Sequence, residues 1–356
     1  MAAEQKKKFT VGLVGVTGYT GMELARLLSV HPAMRLVRVT SRKEEKRKLG
    51  GLHPFLRGFA CGELVISPPD PEDLASACEL VFLAVPHGTA MTLGADLLRR
   101  GCKVVDLSAD FRLREASVYE SWYGTGHKAP ELLVEAVYGL PELYGPRIAA
   151  ARLTANPGCY PTASILGIYP ALQRNLVEED GLIIDAKSGV SGAGRELKPG
   201  SLFCEISGGF KAYSPVVHRH TPEIEQELSS IAAKKLAVTF TPHLLPVNRG
   251  ILATIYASLK DKRLTLEQAL EVYSEVYAGH PFVRVLPAGE LPEMRNVRGT
   301  MFCDIGVVVD QRAGRLLLVA CIDNLCRGAS GQAVANANLM LGLELGTGLF
   351  MPALTP

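Results

Sequence analysis

Apolar and polar positions along the first 110 residues change period in a regular order. FTVGLVGV (9–16) is a continuous β-rich apolar run, GMELARLLSV (21–30) repeats at helical spacing, and MRLVRVTS (34–41) alternates as a strand does. ELVFLAVP (79–86) is another unbroken run, TAMTLGADLLRRG (89–101) is helical, and CKVVDLS (102–108) returns to strand. Strands separated by helices predict βαβ units and a parallel sheet.

The texture changes near residue 155. TASILGIYPALQ (162–173) follows the breakers of ANPGCYPT as a helical run. GLIIDAKS (181–188), AVTFTPHLLP (237–246), GILATIYASL (250–259), FCDIGVVVD (302–310) and RLLLVACID (315–323) are long strand-like segments with fewer helices between them. They predict antiparallel pairing under one helical layer, with a hairpin turn at 312–314. LTLEQALEVYSEVYA (264–278) is an amphipathic helix, and GASGQAVANANLMLGLELG (328–346) is a last, apolar one.

Length and composition narrow the class. A chain of 356 residues, 47% hydrophobic, is most simply two domains with a large core. The 38 basic residues balance 36 acidic ones, so the net +2 gives no reason to invoke nucleic acid or an acidic membrane surface. The densest basic run, Arg42–Lys48, is broken by Glu44 and Glu45 and reads as a solvated loop. The basic start MAAEQKKKF leads into a strand and a glycine turn rather than a signal peptide, and no apolar run reaches the ~20 residues of a spanning helix. Eight cysteines are scattered without a C-x-x-C, which disfavours zinc and a disulfide framework and suits the cytoplasm.

GLVGVTGYTG places Gly15, Gly18 and Gly21 between the first strand and the first helix. Such glycines permit a tight turn and close backbone approach to a pyrophosphate, with free helix amides behind it. The spacing G-x-x-G-x-x-G is a variant of the dinucleotide fingerprint. The second strand ends in Thr40-Ser41-Arg42-Lys43, where an NAD site usually presents a carboxylate. A hydroxyl with two cations suits a 2′-phosphate instead, so NADPH/NADP⁺ is the expected coenzyme.

Cys159 stands out among the thiols. It sits between Gly158 and Pro161 on a stiff turn, with Pro161 suited to the first helical position. A thiol with pKa of roughly 8.5 is only slightly ionised at neutral pH, and helix-terminal amides stabilise the thiolate. Cys61, Cys78, Cys102, Cys303 and Cys321 read as ordinary buried thiols. HRHTPEIEQEL (218–228) supplies a proton partner: two imidazoles at i and i+2, then Thr221 as N-cap and Pro222 at N1. An extended segment there would aim both rings to one side, one pairing with the thiolate and the other meeting substrate. An H-x-H pair also begins some metal sites, but no third ligand with a comparable signature accompanies it. Two more loops suit a small anionic substrate: SGVSGAGRE (188–196), which contains Ser191, and LSADFR (107–112), where Arg112 could grip a phosphate.

GVTGYTGMEL, FLAVPHG, VVDLSADFR, ANPGCYPT, DAKSGVSGAGR, HRHTPEI, PHLLPVNRGIL and DNLCRGASGQAVANANLM occur in this order. Together they make nearly the whole chain resemble the N-acetyl-γ-glutamyl-phosphate reductase family, whose outline is shared with aspartate-semialdehyde dehydrogenase. The resemblance implies an α/β fold: a Rossmann-type NADP-binding domain (1–154 and 325–356) plus an inserted α+β domain with a mixed or antiparallel sheet (155–324). It implies Cys159 as nucleophile and one of the two HRH histidines as acid/base, His218 being favoured with His220 near the substrate, where the loops carrying Ser191 and Arg112 are also expected. Cofactor contacts are expected from Gly15, Thr17, Gly18, Tyr19, Thr20 and Gly21, from Ser41, Arg42 and Pro86, and from Ser188, Gly189 and Asn324. The implied reaction is NADPH-dependent reduction of an acyl phosphate through a cysteine thioester, by a homo-oligomer, dimer or tetramer. One stretch departs from the pattern: CEISGGFKAYSP (204–215) keeps Glu205, Lys211 and Tyr213 but reads Ser207-Gly208-Gly209 where an Asn-rich segment is usual. Rival readings are a carrier-bound aminoadipyl-phosphate reductase, aspartate-semialdehyde dehydrogenase, and a non-catalytic NADP-binding sensor.

Overall fold

The computed structural model describes residues 8–354, so the basic start MAAEQKK lies outside it. The chain divides into two compact units: residues up to Pro157 with Ala329–Phe350, and Gly158–Gly328 with the residues from Met351. The cuts at 157/158 and 328/329 fall three and four residues after the boundaries read from the sequence, and the C-terminal tail goes with the second unit.

The first unit is built on β1 (Phe9–Val14), β2 (Met34–Thr40), β3 (Leu80–Leu83), β4 (Lys103–Asp106), β5 (Val137–Tyr138) and β6 (Leu153–Ala155). Its sheet order is β2-β1-β3-β4-β6-β5, every pair parallel. Val11, Leu13, Val81, Phe82, Val104 and Val105 are wholly buried, as strands covered on both faces must be. The order reverses between β1 and β3, the switch point where open α/β sheets hold ligands. The helix Gly331–Met340 belongs to this unit. Asn336 Nδ2 donates to Gly139 O (2.9 Å) and to Asn156 Oδ1 (3.0 Å), binding that helix to the end of the sheet.

The second unit holds β7 (Leu182–Gly189), β8 (Lys211–Ala212), β9 (Val238–Leu245), β10 (Ile251–Ser258), β11 (Val283–Val285), β12 (Cys303–Asp310) and β13 (Arg315–Ile322). Their order is β11-β12-β13-β10-β7-β9-β8. The sheet is mixed, within what the family resemblance implied: β7 with β9 and β11 with β12 run parallel, where the strand pattern alone predicts antiparallel pairing, and the other pairs are antiparallel. Alternating polarity along a strand reports a covered face and says nothing of direction. The β12–β13 hairpin closes at Gly314, with φ +63°.

One face of this sheet carries the helices Cys159–Gln173, Thr221–Ala232 and Leu266–Tyr277. Gly167 lets the first lie against β10, since a Cβ there would sit 2.6 Å from Ile255. Leu266–Tyr277 starts with a capping box, Thr265 with Gln268, and Tyr273 and Tyr277 donate their hydroxyls to the carbonyls of Gly167 and Leu166. These bonds hold the helix that begins at Cys159.

Candidate active site

In the first unit, Gly15 ends β1 with φ +92°, and a Cβ there would lie 2.1 Å from Ala84 O. Only glycine fits so close an approach of β1 to the turn after β3. Gly21 is tied as tightly, 2.2 Å from Gly15 O by the same measure. The helix Tyr19–Ser29 follows, with Gly18 as an extended N-cap that offers no side chain to the first amides. Those N–H groups and the helix dipole suit an anion. Beside them is a cavity of about 480 Å³ lined by Gly15, Thr17, Ser41, Arg42, Lys43 and Pro86, among others. Thr89, the N-cap of the helix Ala90–Arg99, and Thr92 and Asp96 within that helix also line it, and no sequence motif marked them. Ser41 is 6% exposed, its Oγ accepting the Lys43 amide at 3.1 Å, which folds the loop so that Arg42 and Lys43 border the cavity.

Arg112 is 7% exposed, its Nε donating to Asn156 O (2.8 Å) and Nη2 to Leu107 O (3.0 Å). The guanidinium read from sequence as a phosphate ligand thus braces the chain three residues ahead of the thiol. Beyond β4, Asp110 accepts the amides of Gly88 (2.7 Å) and Ala90 (3.0 Å) and the Tyr119 hydroxyl (2.9 Å). Burial, with Asp110 nearby, pushes the Asp106 carboxyl up to about 7.

In the second unit, Cys159 is the first residue of its helix, with Gly158 as N-cap and Pro161 two positions further in than expected. Cys159 is half-buried, whereas Cys61, Cys78, Cys102, Cys303, Cys321 and Cys326 are buried and Cys204 is exposed. Burial pushes the Cys78 and Cys102 thiols up to about 12, which disfavours their thiolates. The segment 323–328, which runs into the π-helical turn Cys326–Ser330, passes directly beside Cys159: a Cβ on Gly328 would lie 2.6 Å from the Cys159 Cβ.

His218 and His220 come together, ring centroids 4.9 Å apart, though not by the extended segment expected. A turn does it, closed by the Thr221 amide on His218 O (2.9 Å), and the helix is capped by His220 with Thr221 at N1 and Pro222 at N2. His218 is caged by the rings of Tyr160 (5.6 Å), Tyr213 (5.5 Å) and Phe240 (5.4 Å). Burial in this cage, helped by the Arg219 charge, lowers its pKa to about 4. Its Nδ1 accepts the His220 amide at 3.1 Å, so the neutral ring carries its proton on Nε2. The surroundings therefore favour a neutral imidazole over the ready-made imidazolium–thiolate pair that sequence suggested. Tyr160, next to the sulfur in sequence, meets His218 and His220 edge-on, a contact that no sequence motif marked.

Ser188, Gly189, Ser191 and Asn324 gather at the end of β7. Asn324 is 2% exposed; its Oδ1 accepts Gly250 N at 2.7 Å and its Nδ2 donates to Ser191 Oγ at 3.0 Å. A Cβ on Gly189 would press on Arg249 N at 2.8 Å. Asp323, wholly buried, holds the loop by accepting from Gly299 N, Leu325 N, Cys326 N and the Arg249 guanidinium within 2.9 Å.

Two family models match this chain: the semialdehyde dehydrogenase NAD binding domain over residues 10–151 and the semialdehyde dehydrogenase dimerisation domain over 159–324. The N-acetyl-gamma-glutamyl-phosphate reductase of Pelotomaculum thermopropionicum is 51% identical over 346 residues, 97% of this chain and 99% of that one. That of Symbiobacterium thermophilum is 52% identical over 340 residues, covering 95% and 97%. The chain belongs to the N-acetyl-γ-glutamyl-phosphate reductase family, within the semialdehyde dehydrogenases. Aspartate semialdehyde dehydrogenase II of Vibrio cholerae has the same fold, with TM-score 0.70 over 95% of this chain and 99% of that one at 16% identity. So does the Candida albicans aspartate semialdehyde dehydrogenase solved with NADP, with TM-score 0.66 over 94% and 99% at 15% identity.

The first unit's residues fit a phosphorylated dinucleotide of the kind this family uses. A side chain at Gly15 or Gly21 would collide with backbone, Gly18 leaves the helix amides open, and the cavity beside them is bordered by Ser41 and two cations. No carboxylate stands at the end of β2, where an unphosphorylated ribose would be held. Among the described residues, no helix is long and apolar enough to cross a membrane.

Proposed function

We propose that this protein reduces N-acetyl-γ-glutamyl phosphate to N-acetylglutamate semialdehyde and phosphate, an arginine-biosynthetic step, with NADPH as reductant and Cys159 as nucleophile. The observation that carries the mechanism is a half-buried thiol at the first position of a helix, on a unit whose other inward thiols are buried.

The Cys159 thiolate, favoured by the amides of its own helix, attacks the acyl carbon; the C–O bond to phosphate breaks and a thioester forms. NADPH, when bound, supplies the hydride that reduces this acyl group. His218, neutral with its proton on Nε2, donates a hydrogen bond to the oxygen that gains charge on Cys159's adduct. When the thiohemiacetal collapses, the C–S bond breaks, the aldehyde leaves and the sulfur is again a thiolate. His220 and Ser191 contact the substrate, and Arg112 lends positive charge toward its phosphate. Ser188, Gly189 and Asn324 serve the nicotinamide end of the coenzyme; Thr17, Tyr19 and Thr20 serve its pyrophosphate with the three glycines; Ser41 and Arg42 take the 2′-phosphate, and Pro86 packs against the coenzyme.

The unit ending at Pro157, with the helix Gly331–Met340, is the coenzyme domain, and Gly158–Gly328 is the catalytic and dimerising domain. We place a second copy of the chain on the face of the second sheet that carries no helices. There Ile183, Leu252, Tyr256, Leu317, Val319 and Val308 stay partly exposed at alternate strand positions. A nucleophile that must remain a free thiol suits the cytoplasm.

Phosphate-dependent reduction of NADP⁺ with N-acetylglutamate semialdehyde tests the reading. Turnover supports it; preference for aspartate semialdehyde, or for a homologue one methylene longer, would replace it.

A further inference from the structure

Glu223 lies 1% exposed in the first turn of the helix Thr221–Ala232, three residues after His220. Its Oε1 accepts the backbone N–H of Gly158 at 2.8 Å. Gly158 caps the helix of Cys159, and its carbonyl is held in turn by the amide (3.0 Å) and hydroxyl (2.9 Å) of Thr162. Both backbone polar groups of the residue before the nucleophile are therefore fixed. The outer anchor is a buried carboxylate on the element that begins with the two histidines. Burying a carboxylate is costly, and a dipole-favoured acid at a helix start is normally left in solvent.

We propose that Glu223 is a positioning residue that sets the distance between the Cys159 sulfur and the His218–His220 pair by docking one turn onto the other. The claim rests on Cys159 being the nucleophile. It requires an acceptor oxygen at the reach of a glutamyl side chain and does not require that oxygen to be charged. Gln keeps the reach and an acceptor carbonyl while losing the charge; Asp keeps the charge and withdraws the oxygen by one methylene. A misplacement on the scale of 1 Å can cost about 10²-fold in rate.

The test compares Glu223→Gln and Glu223→Asp by two readouts. One is kcat and KM for phosphate-dependent semialdehyde oxidation. The other, which needs no substrate, is the pH profile of Cys159 alkylation by iodoacetamide, resolved from the other cysteines by peptide mass spectrometry. The expected result is that Glu223→Gln retains more than a third of the parent kcat. Glu223→Asp should fall about 10²-fold in kcat with little change in KM, and should alkylate more slowly across the profile. If Asp matches the parent within threefold in both readouts, or if Gln falls as far as Asp, the proposal is overturned. Should Asp prove unfolded by circular dichroism, the Gln variant decides: retention supports positioning through reach, and loss refutes it. A parent that alkylates normally at Cys159 but turns over no semialdehyde would sink the proposed function, leaving the alkylation comparison to judge Glu223.

Discussion

The Nδ1 of His218 accepts the amide of His220 at 3.1 Å, an arrangement that commits the neutral imidazole to a proton on Nε2. With three aromatic rings around it, His218 is held as a neutral imidazole, the form in which the proposed mechanism uses it as a donor. Replacing it by Asn should lower kcat by about 10²–10⁴-fold. NADP⁺ affinity should stay within threefold, since His218 is assigned no contact with the coenzyme and does not line the cavity beside Gly15. Steady-state kinetics with fluorescence titration of NADP⁺ checks both halves.

Two shifted groups pull the pH dependence of stability in opposite directions. For His218, with folded pKa about 4 against an ordinary 6.5, the unfolded chain takes up a proton that the folded one refuses, so its contribution falls as pH drops from 6.5 toward 4. For Asp106, about 7 against 3.8, the folded state keeps a proton that the unfolded chain releases. Its contribution is present below about 3.8 and is lost as pH rises through 7. Asp106→Asn removes only the second effect. Relative to the parent, that variant should gain stability as pH rises from 4 to 7, read by urea unfolding at several pH values; a flat difference would contradict the assignment.

Arg42 and Lys43 border the coenzyme cavity, where each charge-assisted bond to a 2′-phosphate is worth about 1.5–3 kcal/mol. The double variant Arg42→Ala/Lys43→Ala removes both and should raise KM for NADPH roughly 10²–10⁴-fold, leaving NADH kinetics nearly unchanged. Equal loss with both coenzymes would mean that these cations do not read the phosphate.

Gly328→Ala forces a methyl group to within 2.6 Å of the Cys159 Cβ and 3.0 Å of its Cα. Overpacking of this kind costs about 1–3 kcal/mol, and relief by shifting Cys159 would also displace the sulfur. The variant should melt lower and lose kcat. Full activity in a destabilised protein would show that the loop yields instead of the thiol.

Much of this was legible in the sequence, for physical reasons that also mark where reading stops. The parallel strands of the first unit announced themselves because both faces are buried, so β1 and β3 are unbroken apolar runs. β5 and β6, two and three residues long, carry too little pattern to be seen. The thiol and histidine pair were marked by the breakers around them. Their environment was not, since the cage of Tyr160, Tyr213 and Phe240 assembles from three separated segments. The anchoring of Arg112 was not legible either, because an isolated arginine after a strand gives no hint of the carbonyls of Asn156 and Leu107 that it meets. Glu223 was invisible for the same reason: an acid in a first helical turn looks like a dipole partner, and Gly158 lies 65 residues away.

The most direct measurement is to mix the protein with N-acetyl-γ-glutamyl phosphate in the absence of NADPH, quench in acid and map the peptides by mass spectrometry. The account predicts one acyl group per chain, on Cys159, released as semialdehyde when NADPH is added and missing in Cys159→Ala. No adduct on Cys159, together with near-normal turnover by Cys159→Ala, would contradict it.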